Sequence, residues 1–176
     1  MCDKENCEHV DTSKQHKASA PSHLKFALVT VSTTKTKEND ISGKVIAELV
    51  SREGHYVVSY SIVKDDKKAI RDELRRLCEG NSDVIIFTGG TGIAKSDVTI
   101  EAVRPFFEKE LSSFSALFSL TSYNKIGSAA MLSRATAGTA KGKAVFCIPG
   151  SPRACRLALE KLILPEAGHI VGHVCG

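Results

Sequence analysis

The sequence predicts an α/β fold, a three-layer α/β/α domain with a mostly parallel central sheet and a short antiparallel hairpin portion. Three observations carry this reading. From residue 24 onward, apolar stretches of strand length alternate with stretches of helical period. One stretch, 83-DVIIFT-88, is a nearly unbroken apolar run, as a strand buried on both faces requires. Two loops, 88-TGGTGIAKSDVT-99 and 149-PGSPRA-154, leave strand-like runs and enter helix-like ones. An open parallel sheet binds its ligands at that edge.

Residues 1–23 are polar, with mixed charge and almost no large apolar residue besides Val10. Such a segment cannot offset its ordering entropy and is expected to be a disordered tail. Order is expected over 24–176. The run 24-LKFALVTV-31 reads as the first strand, followed by a polar loop, 32-STTKTKEND-40. Ile41, Val45, Ile46, Leu49 and Val50 then fall at helical spacing, with Asn39 or Asp40 as cap and Gly54 as stop. A β-branched and aromatic run, 55-HYVVSYSIV-63, reads as the second strand. Asp65 or Asp66 caps a helix carrying Ile70, Leu74 and Leu77, closed near Gly80. After the third strand and its glycine loop, Ile100 to Leu111 looks helical, with Pro105 as an interruption. Segment 113–127 is ambiguous between helix and strand. A short helix or strand over 129–138 and the run 143-KAVFCI-148 suggest a hairpin. The last element, 151-SPRACRLALEKLIL-164, is a helix with Ser151 at the cap and Pro152 at its first position.

The bulk composition narrows the function. The chain has 176 residues, 42% of them hydrophobic, and a net charge of +4. That bias suits an anionic ligand but is too dispersed for nucleic acid. Trp is absent and aromatics are few, which removes the stacking platform of single-strand binders. No 18-residue apolar run or signal-peptide core occurs, so the expected setting is soluble and cytoplasmic, with no membrane contact. The six cysteines read as free thiols of an intracellular domain. The spacing Cys2, Cys7, His9 lacks the fourth ligand and tight spacing of a zinc site.

The glycine loop is the chemical signal. Gly89, Gly90 and Gly92 let backbone amides approach an anion, while Thr88, Thr91 and Ser96 add hydroxyls and Lys95 adds charge. A P-loop requires glycine where Ala94 stands, and a dinucleotide fingerprint requires a third glycine that is missing. A phosphate loop of another kind, or a tight turn, is left. The second loop, Pro149-Gly150-Ser151-Pro152, offers free amides at a helix start, or a plain cap. Asp65 and Asp97 flank the strand edge and are suited either to capping or to a shared metal. Ser42 and Gly43 leave room beside Asp40, where plain capping is the stronger reading. Arg104 and Arg134 read as surface ion-pair partners.

The combination 89-GGTGIAKSDVT-99 with 149-PGSPRA-154 resembles the MoaB/Mog family of molybdenum cofactor biosynthesis. The likeness covers about 24–174 and includes 40-DISG-43, 62-IVKDD-66, 101-EAVRPFF-107 and 127-GSAAMLSRATAG-138. The resemblance implies a molybdopterin-binding-like fold and molybdopterin adenylyltransfer, with ATP and molybdopterin as substrates and Mg²⁺ as cofactor. It implies a homotrimer or homohexamer. Asp97 then matches the family's essential Asp, and Asp65 matches the Asp of the preceding turn. Thr88, Gly89, Gly90, Thr91, Gly92, Lys95 and Thr99 match the pterin and phosphate loop, together with Pro149, Gly150, Ser151 and Pro152. Thr33, Asp40, Ser42 and Gly43 fall where the family's nucleotide lies. The chain departs from the pattern at Lys64, where the family has Pro, and at Lys95-Ser96, where many members place Arg before the Asp. Asp97-Val98-Thr99 is intact, which favours activity over the alternative of a non-catalytic molybdopterin carrier of the same fold.

Overall fold

The structure, a computed structural model, describes residues 23–175. The expectations for a tail over 1–23 and for Cys2, Cys7 and His9 lie, His23 apart, outside the described residues.

Strands β1 (Lys25–Val31), β2 (Tyr56–Val63), β3 (Val84–Thr88), β4 (Lys109–Glu110), β5 (Thr136–Ala140) and β6 (Lys143–Ile148) form one sheet in the order β2-β1-β3-β6-β5-β4. β2, β1, β3 and β6 run parallel, and β5 and β4 continue the sheet antiparallel. The expected mixture of a parallel sheet and a hairpin is therefore present. The hairpin turns on Lys141 and Gly142, both at positive φ (47° and 72°), the conformation a two-residue turn between antiparallel strands requires.

Alternation along the central strands divides the core. Phe26 and Leu28 of β1 and Val84 and Ile86 of β3 face one side, packed with Ile46, Leu49, Phe146 and Leu159. Ala27, Val29, Ile85 and Phe87 face the other, against Ile70, Leu74, Val103 and Val145. Because successive strand side chains point to opposite faces, one continuous apolar run feeds two cores. Truncating Ile86 to Ala, at 0% exposure, would cost about 2–5 kcal/mol.

Helices α1 (Ile41–Arg52) and α2 (Lys67–Cys78) pack into opposite cores, as successive right-handed crossovers to either side of β1 demand. Three elements differ from the sequence reading. The helix expected over 100–111 is one short helix, α3 (Thr99–Val103), then a 3-10 turn at Arg104–Phe106 and the edge strand β4. Pro105 lacks the donor that would continue the α-helix. The ambiguous segment is a full helix, α4 (Ser112–Ile126), followed by a 3-10 turn at Gly127–Leu132. Phe114 and Phe118 are buried while Leu117, Leu120, Tyr123 and Ile126 are exposed, which blurs any amphipathic pattern. The closing helix runs well past 164. It comprises α5 (Pro152–Ala158), a π turn at Leu159–Ile163 and α6 (Leu164–Cys175). The π turn lies just before Pro165, whose missing N–H disturbs the hydrogen-bond ladder.

Candidate active site

β1 passes to β2 on one side, while β3 lies on its other side. The carboxyl ends of β1 and β3 thus form a switch point, and β6 adjoins it. The loops leaving β1, β3 and β6 meet there, together with the turn after β2.

The glycine loop after β3 is built by close backbone approach. Gly89 has φ +100°, and a Cβ there would lie 2.5 Å from the Val31 carbonyl oxygen, a backbone atom that cannot yield. Gly90 has φ +61°, and a Cβ would lie 2.5 Å from Thr99 Oγ1 and 3.3 Å from Asp65 Oδ1. Both positions therefore need glycine for conformation and for space. Thr99 ties the loop shut: its N–H donates to Gly90 O (2.9 Å) and its hydroxyl to Gly89 O (2.8 Å). Asp97 packs against the loop at Gly92. Its carboxylate accepts from the Ala94 N–H at 2.9 Å and lies against Gly92, whose Cβ would fall 2.7 Å from Asp97 Oδ2.

Asp65 comes from the turn after β2. Of the two possible caps, Asp66 caps α2 by accepting from Ala69 N at 2.9 Å, which leaves Asp65 to face the loop. Its Oδ2 accepts from the Thr33 hydroxyl at 2.8 Å. Thus Asp65 stands beside Gly90 and Asp97 beside Gly92 on the same loop.

The second loop abuts the first: a Cβ on Gly150 would lie 3.0 Å from Gly89 Cα. Thr88 donates to Pro149 O at 3.1 Å, and Ser42 donates to Gly150 O at 2.7 Å. Ser151 caps α5 by accepting from Ala154 N at 3.3 Å, with Pro152 at the first turn. Thr33, Ser42, Asp65, Asp97, Thr99 and both loops are therefore neighbours. Asp40 is different. It is buried and caps α1 through Gly43 N (3.1 Å). It also accepts from Tyr60 OH (2.6 Å), Lys35 Nζ (3.2 Å) and the Thr30 hydroxyl. Gly43 is small because a Cβ would run into the Tyr60 hydroxyl and Asp40. Burial opposes ionisation of Asp40, but the Thr30, Tyr60, Gly43 and Lys35 donors outweigh it and hold the carboxyl below its ordinary range. Burial, with Asp40 alongside, pushes the Tyr60 phenol up.

Lys95 and Ser96 are exposed, and Lys95 makes no hydrogen bond or ion pair among the described residues.

Arg134 is the residue the sequence reading undervalued. Its Nε donates to Thr91 O and to Gly92 O, both at 3.0 Å, and its Nη1 pairs with Glu101 at 2.6 Å. The guanidinium thus holds the Thr91 and Gly92 carbonyls together and ties them to Glu101. The Arg134 hydrogen bond in turn holds the Glu101 carboxyl below its usual range. Nothing in the spacing of residues 91 and 134 signals this contact, which only the β5 strand brings about.

Among the described residues no three His, Cys, Asp or Glu converge on a metal. Two carboxylates beside an amide-rich loop are nonetheless a donor set that suits Mg²⁺, which takes one or two carboxylates and completes its shell with phosphate oxygens and water.

A parallel sheet with a glycine-built loop and two flanking aspartates at its switch point places the chain among α/β domains that bind ligands at the carboxyl edge of the sheet. The family described as a probable molybdopterin binding domain matches residues 27–169, and the chain belongs to it. It is 51% identical over 158 residues to molybdenum cofactor biosynthesis protein B of Bacillus cereus, covering 89% of this chain and 94% of the relative. It is 45% identical to the Bacillus subtilis protein of that name, covering 92% and 96%. A crystal structure of a molybdenum cofactor biosynthesis protein B superposes with a TM-score of 0.85 at 50% identity, covering 88% of this chain and 98% of the other. The tungsten cofactor synthesizing protein MoaB from Pyrococcus furiosus superposes at 0.81 with 40% identity, covering 89% and 100%. The chain is thus a molybdenum cofactor biosynthesis protein of the MoaB group.

Proposed function

We propose that this chain is a molybdopterin adenylyltransferase. An oxygen of the molybdopterin terminal phosphate attacks Pα of ATP. The new P–O bond forms adenylylated molybdopterin, and the bond to the β-phosphate breaks to release pyrophosphate. The observation that carries this reading is that Asp65 and Asp97 lie against the same glycine loop, at Gly90 and Gly92.

The residues suit such a reaction. A phosphate monoester is largely dianionic near neutral pH, its second pKa being about 6, so the attacking oxygen needs no general base. Neither loop carries a His, and the buried Cys155 thiol is pushed up by desolvation. What the reaction needs is that two anions be held close and in line. The glycine-loop amides, the loop after β6 and Lys95 supply fixed positive potential for that. Asp65 and Asp97 would hold Mg²⁺, which neutralises charge on the departing pyrophosphate. Thr33 orients Asp65 through its hydroxyl. Ser42, by donating to Gly150 O, ties the start of α1 to the loop after β6.

The working unit under this proposal is a homo-oligomer, a trimer or a hexamer. Leu117, Leu120, Tyr123 and Ile126 of α4 and Met131 and Leu132 after it are all at least 49% exposed, an apolar patch that another copy would cover. Light scattering on the purified chain tests this, and a monomer at micromolar concentration would refute it.

The transferase is tested by incubating purified protein with molybdopterin, ATP and Mg²⁺ and following adenylylated pterin by chromatography. Product from wild type and none from Asp97→Ala is expected. Tight pterin binding with no product from either would replace the transferase with a non-catalytic carrier.

A further inference from the structure

Cys155 is a buried free thiol beside the two loops that the proposed reaction does not use. It lies in the first turn of α5. Its Sγ is 3.3 Å from the Pro149 carbonyl oxygen and 3.2 Å from the Thr88 hydroxyl. The Thr88 hydroxyl is itself 3.1 Å from the same carbonyl oxygen. These contacts share one hydroxyl proton and one thiol proton, so Thr88 and Cys155 act on the Pro149 carbonyl as a unit. Burial pushes the thiol up, which keeps it protonated and a donor at neutral pH.

What the pair holds has a direction. Every described peptide bond is trans, and in a trans peptide the N–H points opposite to the C=O of the same unit. With Pro149 O bonded to Thr88 and Cys155, the Gly150 N–H is turned away from them. With Gly150 O bonded to the Ser42 hydroxyl at 2.7 Å, the Ser151 N–H is turned away from Ser42. Pro149 and Pro152 have no N–H, so these two amides are all the backbone donors of 149–152. Neither makes a hydrogen bond among the described residues. Gly150 has no side chain to hinder rotation of the 149–150 peptide. A flip of that peptide would replace a donor with a carbonyl oxygen, which repels an anion.

We infer that Cys155 is a positioning residue: with Thr88 it locks the Pro149 carbonyl, and so keeps the Gly150 N–H available to a phosphate oxygen of a substrate. The inference rests on the reading that the loops after β3 and β6 receive phosphates, which ATP and molybdopterin both carry.

Isothermal titrations of the full chain with ATP and Mg²⁺, and separately with molybdopterin, read the effect without turnover. Cys155→Ala is expected to weaken at least one of the two ligands about 5–10-fold, and the ligand affected identifies whose phosphate the amide receives. Cys155→Ser restores a donor and is expected to recover most of that loss. Packing alone predicts no recovery, since burying a hydroxyl costs at least as much as burying a methyl group. Thr88→Val and the double variant complete a cycle. Because both side chains act on one carbonyl, the loss in the double variant should depart from the product of the single losses by about 3-fold or more. Equal affinities of wild type and Cys155→Ala for both ligands, a serine variant as weak as the alanine one, losses that simply multiply, or no binding of either ligand to wild type would each overturn the positioning role. If wild type forms adenylylated pterin while those affinities are equal, the transferase stands and the positioning role falls. If wild type forms no product but Cys155→Ala binds more weakly and Cys155→Ser recovers, the positioning role stands and the transferase falls.

Discussion

Two corners of the same sheet edge use aspartate in opposite ways. At the start of α1, Asp40 is buried and accepts from four groups, a backbone amide, two hydroxyls and an ammonium. At the glycine loop, Asp65 accepts one side-chain hydrogen bond and Asp97 one backbone hydrogen bond, and both stay partly exposed. A carboxylate has about four lone-pair sites. Asp40 spends all of them inside the protein, whereas Asp65 and Asp97 keep most of theirs for something else. The same residue type, a few residues from a strand end in each case, is a buried brace in one corner and a partly exposed, singly hydrogen-bonded carboxylate in the other.

The largest expected effect breaks the pair apart. Asp97→Ala should lower adenylyl transfer by about 10³-fold, on the scale of losing one electrostatic partner of a transition state. Its unfolding midpoint should move little, because a single surface-side hydrogen bond is lost. Asp40→Ala should do the reverse. It leaves Lys35, Tyr60 and Thr30 without their acceptor, and a loss of about 3 kcal/mol in a urea titration is expected. If Asp97→Ala unfolds the chain, or Asp40→Ala does not destabilise it, the contrast is wrong.

Next comes the loop backbone. Gly89→Ala would meet Val31 O at 2.5 Å and strain a φ of +100°, so about 2 kcal/mol or more of stability should be lost together with phosphate affinity. A smaller effect tests the guanidinium. Arg134→Lys keeps the charge but cannot hold Thr91 O and Gly92 O while pairing with Glu101. Adenylyl transfer should fall about 10-fold, with the thermal midpoint within a few degrees of wild type.

The smallest effect is on pH dependence. The Asp40 carboxyl is depressed in the folded protein. Its contribution is therefore present above the unfolded-state value of about 3.9 and is lost as pH falls through the lower folded value. Urea midpoints measured downward from pH 5 should drop more steeply in wild type than in Asp40→Asn, and parallel curves would show that Asp40 carries no such linkage.

Much of this was legible in the chain itself. The run 83-DVIIFT-88 announces a strand buried on both faces because neither face can tolerate a polar side chain. The three glycines of 89–92 announce close backbone approach, and Ser151-Pro152 announces a helix start. Asp65 and Asp97 were legible as candidates through motif and resemblance. Local propensity failed where the signal is mixed. Segment 113–127 presents apolar residues on both sides of α4, so no period stands out. Pro165 inside the closing helix reads as a stop, yet a π turn absorbs it.

The sequence by itself determined the class of fold, the position of the glycine loop and the residue types available around it, because these depend on periodicity and on backbone freedom that each residue carries locally. Only the tertiary structure decided which carboxylates are spent. That Asp66 caps α2 while Asp65 faces Gly90, that Asp40 is enclosed by Thr30, Tyr60 and Lys35, and that Arg134 reaches across 42 and 43 positions to Gly92 and Thr91 follow from strand order and helix placement. The long-range bonds among these, Tyr60 to Asp40 and Arg134 to Gly92 and Thr91, exist only once the sheet has assembled.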